Sequence, residues 1–214
     1  MAEKAKPRCV IVCASPDTEI EYISRSVKAD DYVIAADGGM VLLSKAGIIP
    51  DLFVGDFDSF KGIVPEGVEV IRLNTHKDDT DSMHCASVAV SRGYKEVVLL
   101  GASGGSMPHT FSNYCVLSFL GDNGVKAALS DKSEDVRVLS EGEYSYSGLD
   151  GFGFSVFPFG CDSAVVSYIG GVEYPATDLT LYENSSLGKS NVFRSDEVKI
   201  AVKKGKVIVF NSKS

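Results

Sequence analysis

Up to about residue 140 the chain alternates two hydrophobic rhythms. Short runs rich in apolar residues stand at 9–14 (CVIVCA), 32–36 (YVIAA), 52–54 (LFV), 68–73, 97–100 (VVLL) and 126–129. Runs that are apolar on both faces fit strands of a parallel sheet covered by helices on each side. Between them, residues 18–28, 40–46, 79–93 and 109–120 carry apolar positions at helical spacing, such as Ile20, Ile23 and Val27. The helix over 40–46 stops at Gly47, with Pro50 beyond it. This order predicts an α/β fold with an N-terminal doubly wound, mostly parallel sheet.

Near residue 140 the helical period disappears. Phe152, Phe154 and Val156 alternate with small residues, and Val198, Ile200 and Val202 alternate with Lys199 and Ala201. Lys203-Lys204-Gly205 reads as a turn, and Val207 and Val209 as the returning arm of a hairpin. The expectation is a C-terminal all-β sandwich domain. The polar stretch 130–143 separates the two rhythms, which gives domains of 1–138 and 139–214.

Composition narrows the function classes. A net charge of −8 opposes a broad nucleic-acid footprint, which needs a basic face. A local phosphate site remains compatible, because a cation and backbone amides can carry it. Cys9, Cys13, Cys85, Cys115 and Cys161 are scattered and odd in number, so they read as buried free thiols in a reducing compartment. The start of the chain is polar, and no apolar stretch has the length of a membrane span. A soluble, cytoplasmic protein is expected.

Candidate chemistry gathers at the ends of the predicted strands. Asp56 and Asp58 follow the run 52–54 and Gly55; at i and i+2 in extended chain they point the same way. Asp37-Gly38-Gly39 ends the neighbouring strand. Lys77-Asp78-Asp79-Thr80-Asp81 stands at a helix start, and Gly101 to Ser106 joins a strand to a helix. Taken singly, these segments are compatible with turns and helix caps. All would lie at one sheet edge, where α/β sheets bind ligands. Converging carboxylates ask for a hard divalent cation, and glycines let a phosphate chain lie close to the backbone. Phosphoryl-type transfer needs that combination. Zinc-ligand spacing and a P-loop are absent.

In this order, Asp37-Gly38-Gly39, Gly55-Asp56-Phe57-Asp58-Ser59, Lys77-Asp78-Asp79-Thr80-Asp81, Gly101-x-x-Gly104-Gly105 and Asn184 to Asn191 resemble the thiamine pyrophosphokinase family. The resemblance runs over nearly the whole chain. It implies transfer of a pyrophosphoryl group from ATP to the hydroxyl of thiamine, releasing AMP, in a homodimer. It also implies that 1–138 binds ATP and Mg²⁺, while 139–214 binds thiamine and dimerises. Asp56, Asp58 and Asp81 would be catalytic and hold Mg²⁺, and Asp81 is also a candidate acceptor for the hydroxyl proton. Asp37, Gly38, Lys77, Asp78, Gly104, Gly105 and His109 would bind ATP. Ser186, Ser190 and Asn191 would face thiamine, in a site completed by the partner subunit.

One departure stands out. Where the family commonly has arginine and aspartate after the paired glycines, this chain has Ser106 and Pro108. The arginine would be a forked phosphate donor, so another cation such as Lys77 or Arg72 would have to compensate, or ATP would bind differently, or activity would be weak. A pterin-type pyrophosphokinase and a non-catalytic thiamine- or nucleotide-binding protein are the alternatives.

Overall fold

The computed structural model describes residues 8–74 and 78–212, which form two compact units, Met1–Lys132 and Ser133–Ser214. The first unit contains β1 (Cys9–Val12), α1 (Ile20–Ser26), β2 (Tyr32–Ala36), α2 (Gly39–Ala46), β3 (Leu52–Gly55), β4 (Glu69–Arg72), α3 (Asp81–Ser91), β5 (Glu96–Leu100), α4 (Met107–Asp122) and β6 (Lys126–Ser130). Its strands pair in the order β6-β5-β1-β2-β3-β4, and every pair is parallel.

That order contains a switch point. The chain first builds outward from β1 to β4, then crosses back to add β5 and β6 on the other side of β1. The loops after β1 and β5 therefore diverge, and a crevice opens between them at the carboxyl ends of the strands.

The core follows from the period of two. Val10, Val12, Val33, Ala35 and Phe53 share a buried cluster with Ile23 of α1 and Met40 and Leu43 of α2. Cys9 of β1 and Cys13 just beyond it fall on the alternate positions and are also buried. Cys85 of α3 is buried too, and burial raises its thiol well above the usual range. Burial pushes Cys9 and Cys13 up to about 12, so they remain protonated and behave as small apolar groups. All five cysteines are free, but Cys115 and Cys161 are only half-buried, which corrects the expectation for those two.

α2 ends as its sequence predicts. Gly47 takes φ 71 and its N–H reaches back to the carbonyls of Leu43 and Ser44. α4 starts two residues earlier than the apolar pattern indicated, with Pro108 in its first turn. A helix leaves those N–H groups unpaired anyway, so this proline costs the helix nothing.

The second unit contains β7 (Glu134–Leu139), β8 (Gly142–Ser147), β9 (Gly153–Pro158), β10 (Ser163–Val172), β11 (Leu179–Tyr182), β12 (Asn191–Lys204) and β13 (Val207–Ser212), all paired antiparallel. One group runs β7-β13-β9 and the other β8-β12-β10-β11, with the start of β12 also pairing β9. Phe154 of β9 stacks on Phe193 of β12 at 4.4 Å and meets Tyr168 edge-on at 5.4 Å. β7 pairs with β13 and so belongs here, which places the division ahead of residue 138.

The expected final hairpin is not formed. β12 pairs with β8, β9 and β10, whereas β13 pairs with β7 and β9. The turn at Gly205, with φ 82, carries the chain from one strand group to the other. Val202 and Val209 still reach the same core cluster, so the alternation of buried positions survives the change of partner.

Among the described residues, no helix is long and apolar enough to cross a membrane.

Candidate active site

Asp37 organises the site. It follows β2, takes φ 35, and is only 3% exposed. Its Oδ1 accepts the N–H of Phe57 at 3.2 Å and its Oδ2 accepts the N–H of Ser59 at 3.0 Å. The loop after β3 is therefore wrapped around the Asp37 carboxylate. Gly55 is required for this approach, because a Cβ there would lie 2.7 Å from the Cβ of Asp37. Phe57, at φ 67, makes the sharp reversal that brings Asp56 and Asp58 back together. Asp56 Oδ1 accepts the N–H of Asp58 at 3.1 Å, and Ser59 Oγ donates to Asp58 Oδ1 at 2.8 Å.

Asp37, Asp56 and Asp58 each bring a carboxylate oxygen within 4.8 Å of the others. At an effective dielectric near 20, two unit charges at that spacing repel by about 3 kcal/mol, before solvent screening of the more exposed Asp58. Burial is the main cause that raises the Asp37 pKa; the nearby Asp81 charge adds to it, and the Ser59 backbone hydrogen bond opposes it. An oxygen-only donor set with excess negative charge fits a hard divalent cation.

The sign of the Asp37 shift gives a pH prediction. A raised folded-state pKa means that the folded chain holds this proton more tightly than the unfolded chain. Asp37 therefore costs stability increasingly as pH rises above 3.8, until the folded carboxyl is fully ionised. In EDTA, the stability of Asp37→Asn relative to the wild type should improve between about pH 4 and about pH 7. Urea midpoints measured at both pH values check this; a gap that stays flat or closes would contradict it.

A cavity of about 520 Å³ lies at the switch point, lined by Ala14, Asp37, Ser59, Asp81, Gly104 and His109 among others. The paired glycines after Asp37 serve the packing beneath it. A Cβ on Gly39 would lie 1.9 Å from the carbonyl oxygen of Val12, and one on Gly38 would lie 2.9 Å from the Cβ of Ala14. Gly104 and Gly105 take φ 88 and 65. Their N–H groups are not open to the cavity: Gly105 donates to Asp17 Oδ2 at 2.6 Å and Gly104 to Thr110 Oγ1 at 3.1 Å.

Asp81, the first residue of α3, lines the cavity but stands outside the three-carboxylate group. Asp78 is exposed and Lys77 lies outside the described residues. Ser186 and Ser190 are exposed in the second unit. Asn191 is buried there; its Oδ1 accepts the N–H of Tyr174 and its Nδ2 donates to the Tyr174 carbonyl.

Asn113 was not singled out from the sequence. Its Nδ2 donates to the Ala102 carbonyl at 2.7 Å and its Oδ1 accepts from Ser82 Oγ at 2.8 Å. Ser82 continues to Thr80, which caps α3 by accepting the N–H of Met83. One buried amide thus ties the loop after β5 to the helix start that carries Asp81. Its clue was an amide on the helical face that continues through Val116, Leu117 and Leu120, all buried. Asn113→Leu should cost about 1–3 kcal/mol of stability, because Ala102 and Ser82 lose their partner inside the fold. Chemical denaturation measures the loss; unchanged stability would show that the network carries no load.

Residues 23–129, half of the chain, match the family described as thiamin pyrophosphokinase, catalytic domain. The chain belongs to this family. Over 208 residues it is 26% identical to the thiamine pyrophosphokinase of Bacillus subtilis (strain 168), covering 94% of this chain and 97% of the relative. The fold is that of the solved thiamine pyrophosphokinase from Bacillus subtilis, with a TM-score of 0.84, 23% identity, and 98% and 100% of the two chains covered. It is equally recognisable in thiamin pyrophosphokinase from Candida albicans, with a TM-score of 0.81 at 14% identity and 96% and 90% covered. The metal-fitting carboxylates lie inside the span that matches the catalytic domain.

Proposed function

We propose that this chain transfers a pyrophosphoryl group from ATP to the hydroxyl of thiamine, with Mg²⁺ held by Asp37, Asp56 and Asp58. The observation that carries the residue assignment is the meeting of those three carboxylates, one of which, Asp37, lines the switch-point cavity. When bound, Mg²⁺ would neutralise phosphate oxygens and the charge that develops on the departing AMP. The chain's own contribution is positioning. Asp37 locks the Asp56–Asp58 turn through two backbone bonds, so the acceptor oxygens are set before substrate arrives. Asp81, which lines the cavity outside the cluster, would take the proton of the thiamine hydroxyl; its position in the lining supports that role.

The exposed Ser186–Ser190 segment, with Tyr174, Tyr182 and Leu187 also exposed in that unit, supports a thiamine-binding and dimerisation role for the second domain. Asn191 would act there by fixing the chain at Tyr174. A homodimer is the expected state in sedimentation, and a monomer at working concentration would remove that part. Three buried free cysteines support a reducing, cytoplasmic setting.

Product analysis by ³¹P NMR tests the reaction. ATP, Mg²⁺ and thiamine should give AMP and thiamine diphosphate in equal amounts. ADP with thiamine monophosphate, transfer only to a hydroxymethyl pterin, or no AMP at all would overturn the assignment.

A further inference from the structure

The acidic cluster has a cationic flank. β3 and β4 pair so that Arg72 lies opposite Gly55, immediately before Asp56. The Arg72 guanidinium sits 4.0 Å from the centre of the Phe57 ring, and Phe57 lies between Asp56 and Asp58. The backbone of Phe57 is in the left-handed region, a conformation that is strained for such a residue. That conformation presents the ring to Arg72 and the carbonyl to Lys61, whose Nζ donates to it at 3.0 Å. Arg72 is exposed and has no ion pair with a carboxylate among the described residues. An exposed arginine that rests over a ring, with no carboxylate partner among the described residues, is free to meet an anion.

The opposite wall of the cavity offers no such group. Among the described residues that line it there is no lysine or arginine. Position 106 is serine, and the Gly105 N–H is already spent on Asp17. Three carboxylates and one divalent cation leave a net negative charge, and a nucleoside triphosphate adds several more. The phosphates therefore need a cation on the Asp56–Asp58 side.

We propose that Arg72 binds the β,γ-diphosphoryl end of the nucleoside triphosphate, the part that is transferred, and so replaces a cation that Ser106 cannot supply. This deepens the pyrophosphokinase reading and rests on it. The ring of Phe57 supports the guanidinium, and the register of β4 against β3 sets Arg72 beside Gly55, next to Asp56 in the chain.

The test compares ATP with AMP, which lacks those two phosphates. Affinities are measured by calorimetry in Mg²⁺ for the wild type, Arg72→Ala and Arg72→Lys, with thermal melts of each. In Arg72→Ala, ATP should bind at least tenfold more weakly while AMP stays within twofold and the melting temperature is unchanged. Arg72→Lys should fall between, since it keeps the charge and loses the fork. Equal weakening of ATP and AMP, or no weakening of ATP, would overturn the role of Arg72. The wild-type turnover separates this from the underlying reading. A wild type that forms no AMP from ATP and thiamine fails the reading itself; one that does, beside an Arg72→Ala variant with normal ATP affinity, fails only the inference.

Discussion

Asp56→Asn should lower turnover by at least about two orders of magnitude while the fold stands, which is the scale expected when one preorganised electrostatic contact is lost. Asparagine keeps an Oδ1 that can accept the Asp58 N–H, so the turn after β3 survives. It removes one of three carboxylates whose oxygens lie within 4.8 Å, so cation affinity falls with activity. The repulsion falls as well. In EDTA the variant should melt at or slightly above the wild-type temperature, and in Mg²⁺ the order should reverse, because only the wild type gains binding free energy from the ion. Steady-state kinetics and paired melts check both halves. Turnover within a few-fold of wild type would remove Asp56 from the chemistry.

Gly39→Ala should be the most destabilising single substitution in the first unit. Gly39 is the first residue of α2, and a Cβ there would stand 1.9 Å from the Val12 carbonyl oxygen and 2.7 Å from its carbon. Those atoms belong to the middle strand of the sheet, which pairs on both sides and cannot retreat. The helix must lift instead, and Met40 and Leu43 come partly out of the core with it. A loss of about 3–5 kcal/mol is expected, the scale of a severe core substitution. Gly47→Ala is the comparison. Nothing lies within 4 Å of the added carbon, so only the left-handed backbone opposes it, at about 1 kcal/mol. Urea denaturation of both variants checks the contrast; similar midpoints would show that the helix does not rest on β1 as closely as described.

The parallel sheet was legible because its middle strands are buried on both faces and read as unbroken apolar runs. Asp56 and Asp58 were legible as a pair, but the extended-chain rule is not what joins them: Phe57, at φ 67, reverses the backbone between them. The membership of Asp37 in that group was not, since it depends on which strand lies next to β3, and that is fixed only when the sheet is assembled. Asp37 had been expected at the nucleotide; the structure puts it with the two acids. The glycines beside it fit a tight turn or a ligand's approach equally well in the sequence; in the fold Gly38 is kept small by the Cβ of Ala14 and Gly39 by the Val12 carbonyl. Gly104 and Gly105 were likewise expected to offer their amides, which Asp17 and Thr110 occupy; Asp17 is far away in sequence. The last two strands show the limit of periodicity. Val198 to Val209 alternate as a hairpin would, but a chain that arches between two strand groups facing one core gives the same alternation.

The account rests on three carboxylates sharing one ion. Crystals soaked with Mn²⁺ and a non-transferable ATP analogue test it most directly, by the anomalous signal of the metal. A peak within coordination distance of Asp37, Asp56 and Asp58, with phosphate oxygens completing its shell, is the predicted result. A nucleotide bound with no peak at those residues, or a metal held elsewhere, would contradict it.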